Sequence, residues 1–234
     1  MQNVSGYDAS PACSLAFSGP DRDAVYRAIR TRRDVRHGFL PEPLPEPLLR
    51  KLLEAAHAAP SVGLMQPTRF LLVRDPAVRK EVHAAFTQAN VSALATYTDD
   101  RQDLYSSLKL EGILEAPQNL CFLCDPGSPQ GHGLGRHTAP EAAIYSTVCA
   151  VQNLWLAARA EGIGVGWVSI LAEADLRRIL HIPTHLAPVA YLCLGFVDSF
   201  SAEPDLERFG WEQRRPLEEF LSFDTWPSIP EPCS

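Results

Sequence analysis

The stretch from residue 140 to residue 170, PEAAIYSTVCAVQNLWLAARAEGIGVGWVSI, decides the fold class. Residues 140–161 are apolar on all sides, which predicts a long helix buried on more than one face, in a central core or at a dimer interface. The run Gly162-Ile163-Gly164-Val165-Gly166 follows this helix and opens a strand over 162–170. A dinucleotide-binding fingerprint needs the reverse order, strand before glycines and helix after. We therefore reject a Rossmann fold and interpret the glycines as a left-handed helix cap and as a place where the backbone approaches a ligand closely.

Apolar periodicity on either side of this stretch predicts three further strands among helices. The predicted helices cover 20–33, 48–59, 76–89, 104–115 and 173–180, and the predicted strands cover 70–73, 118–124 and 187–197. The polar segment 97–103 is expected to be mobile. A polar arm over 1–19 precedes one α+β or α/β domain over 20–234, because no linker or repeat divides the chain. From residue 200 a polar, proline-bearing tail is expected to wrap another surface, that of a second subunit.

Composition excludes several classes of protein. A net charge of -7 argues against a nucleic-acid surface, and no apolar run reaches the roughly 20 residues of a membrane helix. With no signal peptide and with thiols expected to be reduced, the sequence indicates a cytoplasmic protein. The spacing of Cys121 and Cys124 suits a metal, but three residues along a strand turn the two thiols to opposite faces. His132 and His137 have no further ligand at metal spacing, so no metal site is expected.

An arginine cluster, Arg32-Arg33-Asp34-Val35-Arg36, stands out in this acidic chain. Guanidinium groups bind phosphate through two parallel hydrogen bonds, so the cluster indicates an anion site, which Arg214 and Arg215 in the tail could close. The alternatives are a solvated helix end for the first group and an exposed charge pair for the second. Past the glycine run, Trp167 and Ser169 offer an aromatic wall and a hydroxyl.

At these residues the chain resembles the flavin-binding nitroreductase-like family. The shared elements are Arg-x-[Ser/Asp]-x-Arg, a Pro-Ser-x-x-x-x-Gln-Pro loop at residues 60–67, a glycine-rich turn into a strand, and Arg-x-Pro-Leu at residues 214–217. The resemblance implies a three-layer α/β/α fold with a mixed, mainly antiparallel sheet, a long central helix and an extended C-terminal arm. It also implies a homodimer with swapped arms that holds FMN in each interface.

Within the family, the chain resembles members that break reduced FMN down with oxygen to form the benzimidazole base of cobalamin. This likeness rests on Asp34, where the redox relatives usually have Ser, and on the segments 108–113, 115–117 and 164–170. It implies that Asp34 and Ser169 form a catalytic pair. The FMN-binding residues that it implies are Arg32, Arg33, Asp34, Val35, Arg36, Pro60, Ser61, Val62, Gln66, Lys109, Val168, Ser169, Arg214 and Arg215.

Several functions remain open at this stage. Since no nicotinamide fingerprint is present, reduced FMN is expected to arrive as substrate from a separate NAD(P)H-flavin reductase, with O2 as co-substrate and Asp34 as base. The first alternative is an NAD(P)H-dependent nitro- or enone reductase on the same scaffold. The second is a flavin-storage protein without turnover. A hydrolase is disfavoured because neither Ser146 nor Ser169 lies in a nucleophile elbow.

Overall fold

The computed structural model describes residues 15–226. Its helices are α1 (Gly19–Thr31), α2 (Glu46–His57), α3 (Pro76–Leu94), α4 (Asp99–Ser107), α5 (Ala142–Ala160), α6 (Glu173–Ile179) and α7 (Asp205–Arg208). Its strands are β1 (Thr68–Val73), β2 (Gln118–Cys124), β3 (Ile163–Val168) and β4 (Ala187–Phe196). Short 3-10 turns lie at Val62–Leu64, Gln130–Gly133 and Leu217–Phe220.

The four strands form one antiparallel sheet in the order β1-β2-β4-β3. Alternation along β2 sends Leu120 and Phe122 to one face, against α2 and α5, and Cys121 and Leu123 to the other, against α3 and α6. The predicted three-layer α/β/α arrangement is therefore confirmed. The parallel component of the predicted mixed sheet is a bridge between Asp34 and Val165 beside edge strand β3.

The long central helix is present as α5, which buries residues all along its length. The buried set is Ala143, Ser146, Thr147, Ala150, Val151, Leu154, Trp155 and Ala158. Tyr145, Val148 and Cys149 on the same helix stay exposed. The helix ends at Ala160, and Gly162 follows with φ +76°, the left-handed conformation expected of the cap.

The segment after α4 differs from its prediction. The predicted helix over 104–115 is wrong beyond Ser107, and part of the supposedly mobile segment 97–103 is helical, since α4 begins at Asp99. Residues 108–116 form a loop because side chains satisfy its peptide groups. Arg79 donates to the carbonyls of Ile113 and Ala116, and Glu111 accepts from the Ile113 N–H at 2.6 Å. A helix would have used these groups internally.

The structure describes only part of the N-terminal arm and of the C-terminal tail. Residues 1–14 of the predicted polar arm, and the last eight residues of the tail, lie outside the described range. The described part of the tail contains α7 and then runs exposed from residue 212 to residue 221. Within residues 15–226, every helix is too short or too polar to span a bilayer.

Candidate functional site

The arginine loop over 32–36 is fixed against the edge of β3. The Val35 N–H donates to the Val165 carbonyl at 2.9 Å, and the Trp167 N–H donates to Asp34 Oδ1 at 2.9 Å. A Cβ on Gly166 would lie 2.0 Å from the Val35 carbonyl oxygen. The close approach inferred from the glycine run is therefore made by the chain's own arginine loop, which only glycine at 166 permits.

Both oxygens of the Asp34 carboxylate are engaged. Oδ2 accepts from Arg36 at 2.5 Å, and the Asp34 side chain keeps 30% exposure while Arg36 keeps 14%. Among the described residues, Arg36 Nε is a buried polar atom without a hydrogen-bond partner. A buried donor without a partner is costly, so the loop has hydrogen-bonding capacity left for an anion.

The side chain of Arg33 binds the backbone of the C-terminal tail. Its guanidinium donates to the carbonyls of Ser201, at 3.0 Å, and of Ala202, and also to those of Arg30 and Arg32. Burial lowers the pKa of Arg33, and the positive charges of Arg214, Arg32 and Arg159 lower it further. Guanidinium groups from both ends of the chain therefore lie within electrostatic reach of one another.

The two tail arginines differ in their surroundings. Arg214 is 72% exposed and lies 3.9 Å from Glu207, whereas Arg215 donates to Glu219 at 2.6 Å and lies over the Phe220 ring. Arg32 lies over the Trp155 ring of α5 at 5.2 Å. Arg214 is thus close enough to Arg33 for its charge to lower the pKa of Arg33, while the contacts of Arg215 are local.

Ser169 lies one residue beyond β3 and is exposed. It lines a groove of about 220 Å³ together with Trp167, Val168, Glu173 and Tyr191. Because Asp34 is bonded to Trp167, only two residues of extended chain, about 7 Å, separate its anchor from Ser169. Val35 and Val168 are buried in the core, so their side chains offer little surface to a ligand.

The loop over 60–67 lies against the other half of α5. Ser61 Oγ accepts from the Gln66 N–H at 3.1 Å, and Ser146 Oγ of α5 accepts from the Val62 N–H at 3.1 Å. Pro60 and Ser61 line a pocket with Ser146. Leu64 and Gln66 have φ of +54° and +43°, a conformation that non-glycine residues adopt only when their surroundings impose it.

Two residues that stabilise the 60–67 loop were not predicted from the sequence. Gln130 Nε2 donates to Gln66 Oε1 at 2.7 Å and to the Leu64 carbonyl at 2.9 Å. The second is Ser146, whose hydroxyl holds the loop backbone at Val62. The glycine-rich segment around Gln130 was visible in the sequence, but its packing against a loop 64 residues earlier has no local pattern.

The two groups of candidate residues occupy different positions along α5. Val62 contacts Ser146 and Arg32 contacts Trp155, nine residues further, a rise of about 14 Å along the helix. Within residues 15–226, no hydrogen bond or ion pair joins the 60–67 loop to the arginine loop.

Lys109 belongs to neither group by its contacts. It pairs with Glu111 at 2.7 Å and with Glu115 at 2.8 Å. Burial acts to lower the pKa of Lys109, but the hydrogen bonds and charges of Glu111 and Glu115 outweigh it, and the net direction is upward.

Cys121 and Cys124 lie in different parts of the core, as their spacing along the strand predicted. Cys121 packs in the core on the α3 and α6 side, and Cys124 packs with Met65 and Ala143. In the part of the chain that the structure describes, no three His, Cys, Asp or Glu side chains are grouped as a metal site requires.

A profile described as "Nitroreductase family" matches residues 29–196. The chain belongs to the nitroreductase family. Among its curated relatives, the 5,6-dimethylbenzimidazole synthase of Rhodospirillum rubrum is 48% identical over 86% of this chain and 94% of the relative. The synthase of Rhodobacter capsulatus is 40% identical over 87% of this chain and 98% of the relative. A Thermus thermophilus relative named NADH dehydrogenase is 33% identical over 76% of this chain and 88% of the relative.

Solved structures agree on the nitroreductase fold. An iodotyrosine deiodinase bound to FMN and 3-iodo-L-tyrosine superposes with a TM-score of 0.69 at 19% identity, over 86% of this chain and 100% of the other. An NADPH:FMN oxidoreductase from Vibrio harveyi, complexed with NAD+, gives a TM-score of 0.61 at 18% identity, over 88% and 79%. These matches confirm the predicted family and the predicted likeness to benzimidazole-forming members. They also confirm the prediction that the chain is an enzyme.

Proposed function

We propose that this nitroreductase catalyses the oxygen-dependent fragmentation of reduced FMN to 5,6-dimethylbenzimidazole, the lower ligand of cobalamin. The observation that carries the proposal is the position of Asp34. Its carboxylate is bonded to Trp167, two residues from the exposed hydroxyl of Ser169 and within the loop that carries Arg32 and Arg36. The identity of 48% to a relative named for this product supports the same reaction.

The arginines would hold the FMN phosphate. Arg32 and Arg214 approach from opposite ends of the chain, and the unpartnered Nε of Arg36 adds a donor. Charge-assisted hydrogen bonds from several guanidinium groups suit a phosphate dianion. Arg33 acts mainly by tethering the tail, since carbonyl oxygens occupy its donors, and Arg215 has a subsidiary role beside Glu219.

Asp34 would serve as the general base and Ser169 as its hydrogen-bonding partner. Reduced flavin supplies the reaction with oxygen, so the residues need to orient the molecule and move protons. A phosphate anchored at the arginine loop brings the ribityl chain close to Asp34, where general base catalysis is worth roughly 10²–10⁴-fold. Ser169 lines a groove, and from there its hydroxyl would donate a hydrogen bond to the polar edge of the flavin ring.

A second copy of the chain would complete the site. Apolar side chains lie exposed on α1, on α5 and along the tail, as expected of surfaces covered in a dimer with swapped arms. They include Val25, Tyr26, Ile29, Tyr145, Val148, Phe220 and Trp226. The partner's 60–67 loop, with Pro60, Ser61, Val62 and Gln66, would then face the flavin held by the arginine loop. Val35, Lys109 and Val168 would line the same cavity.

Reduced FMN would come from a separate NAD(P)H-flavin reductase in the cytoplasm, with O2 as co-substrate. The test uses the purified chain with photoreduced FMN, mixed with air, and chromatography of the products. Loss of flavin with a new benzimidazole supports the proposal. Recovery of intact FMN in every sample contradicts it.

An NAD(P)H-dependent reductase is the second candidate, favoured by the relative named NADH dehydrogenase at 33% identity. It predicts rapid oxidation of NADH in the presence of a nitroaromatic acceptor, with FMN recovered unchanged. The synthase proposal predicts slow NADH oxidation and consumption of FMN. The same samples, assayed at 340 nm and by chromatography, separate the two.

A further inference from the structure

Trp211 attaches the C-terminal tail to the body of the protein through its aromatic side chain. Trp211 packs edge-on against Tyr97, with ring centroids 5.4 Å apart, and against Tyr105 at 5.9 Å. Tyr97 and Tyr105 stack on each other at 4.9 Å, and the Tyr105 hydroxyl donates to Asn90 at 2.7 Å. We call Tyr97, Tyr105 and Trp211 the aromatic clasp.

The backbone of Trp211 is fixed as firmly as its ring. Arg101 donates to the Trp211 carbonyl at 2.7 Å while its guanidinium lies 4.8 Å from the ring centroid. The Trp211 N–H donates to the Leu206 carbonyl at 2.8 Å. Aromatic pairs of this geometry each add about 0.5–1.5 kcal/mol beyond the area that they bury. The clasp is therefore an anchor, and residues 212–221 beyond it are exposed.

Arg214 follows this anchor by three residues. A chain of three residues reaches at most about 11 Å, so the clasp restricts where the Arg214 guanidinium can go. Arg33 restrains the tail before the clasp by binding the Ser201 and Ala202 carbonyls. Both anchors precede Arg214, and a tail held at them loses less conformational entropy when its arginine binds a ligand than a free tail would.

We propose that Trp211 is a positioning residue, which holds Arg214 at the phosphate of the bound nucleotide without touching the nucleotide itself. The inference rests on the proposed function, because it assumes that Arg214 binds the FMN phosphate. It adds that preference for the phosphorylated flavin over riboflavin depends on the aromatic clasp. Phenylalanine at 211 keeps the ring contacts with Tyr97 and Tyr105, so it preserves most of this preference.

The experiment is equilibrium binding of FMN and of riboflavin, followed by flavin fluorescence. The full chain is compared with Arg214→Ala, Trp211→Ala, Trp211→Phe and the double variant Trp211→Ala/Arg214→Ala. Phe209→Ala is the matched control, because Phe209 lies in the same tail, is half-exposed and packs against Arg208 outside the clasp. Thermal unfolding of each variant verifies that it is folded.

We expect Arg214→Ala to weaken FMN binding by roughly tenfold to a hundredfold, as loss of a charged hydrogen bond does. Trp211→Ala should weaken FMN binding to a similar degree, and the double variant no further than Arg214→Ala alone. Riboflavin affinity should stay within about twofold in all of them, and Trp211→Phe and Phe209→Ala should bind FMN like the parent.

Two failures are distinguishable. If Arg214→Ala binds FMN normally, the phosphate assignment in the proposed function is wrong. If Arg214→Ala binds FMN weakly but Trp211→Ala does not, the positioning role of Trp211 is wrong and the phosphate assignment stands. Equal weakening of FMN and riboflavin in Trp211→Ala also overturns the positioning role, because a general structural effect would be indifferent to the phosphate.

Discussion

The carboxylate of Asp34 accepts a hydrogen bond from the backbone N–H of Trp167 at 2.9 Å, across 133 residues of sequence. This bond and the adjacent Val35–Val165 bond fasten the arginine loop to the edge strand that leads to Ser169. Asp34 therefore has two separable properties. Oδ1 supports the fold through Trp167, and Oδ2, which accepts from Arg36, is the oxygen that we assign to the chemistry.

Replacing Asp34 by Asn should separate these properties. Asparagine keeps an acceptor oxygen for the Trp167 N–H but has no basic carboxylate and no charge to pair with Arg36. The link to β3 and FMN binding should therefore be retained, while the ion pair with Arg36 is lost. Formation of the benzimidazole should fall by roughly 10²–10⁴-fold, the usual contribution of a general base. Product is measured by chromatography after mixing reduced FMN with air.

The matched variant is Asp34→Ala, which removes the acceptor as well. It should lose product formation and also about 1–3 kcal/mol of unfolding free energy, because the Trp167 N–H is left without its partner. Product at the original rate from Asp34→Asn would rule out the base assignment.

Gly166→Ala should damage the site through the backbone alone. The added Cβ would lie 2.0 Å from the Val35 carbonyl oxygen, a backbone atom that cannot move without breaking the bridge to β3. Overpacking of this kind typically costs about 1–3 kcal/mol. We expect a lower midpoint in urea unfolding and weaker FMN binding.

Gly127→Ala is the control for this substitution. The nearest atom to its added Cβ lies 3.7 Å away, an ordinary van der Waals distance, so its stability should match that of the parent. Equal midpoints for the two variants would mean that the loop and β3 are further apart than the structure has them.

Arg79→Ala should unfold the loop over 108–116. Arg79 supplies donors to the carbonyls of Ile113, Leu114 and Ala116, and the Ile113 and Ala116 side chains are fully buried. Asn119 also donates to the Ile113 carbonyl, so the carbonyl of Ala116 is the main one left without its donor. An unpaired buried acceptor costs about 1–3 kcal/mol, and a loss of that size is expected in chemical denaturation.

Arg74→Ala provides the comparison, because Arg74 makes an exposed ion pair with Glu46. Exposed pairs contribute about 0–1 kcal/mol. If the two arginine variants are equally stable, the loop does not depend on Arg79.

The buried thiols should resist alkylation until high pH. Burial raises the pKa of Cys121 and of Cys193 from the ordinary 9.0 to about 12. Only the thiolate reacts, so at pH 9 roughly a thousandth of each thiol is reactive in the folded chain. Iodoacetamide labelling followed by peptide mass spectrometry should leave both unmodified at pH 9 and modify both in denaturant.

The raised pKa values of Cys121 and Cys193 also predict that the folded state loses stability at high pH. The neutral thiols favour the folded state, so their contribution is complete below about pH 9 and is lost as the pH rises toward about 12. Rapid labelling of folded Cys193 at pH 9 would contradict its burial.

Local sequence predicted the elements that are bounded by local signals. β2 is found at the predicted Gln118–Cys124, because Pro117 and Pro126 flank a segment that contains the continuous apolar run 120–124. α5 and the left-handed Gly162 follow equally directly from the apolar helix and the glycine after it. The motif spacing identified the family.

Tertiary structure decided how the arginines and the loops are used. Apolar periodicity predicts a helix over 104–115, but other groups satisfy the peptide groups of 108–116. These are Arg79, which lies in α3, and Glu111, which lies in the loop itself. The sequence predicted Arg33 to bind phosphate, yet the guanidinium of Arg33 donates to the carbonyls of Ser201 and Ala202. The partner of a hydrogen-bonding side chain depends on which distant groups folding brings within about 3 Å of it, and no local pattern carries that information.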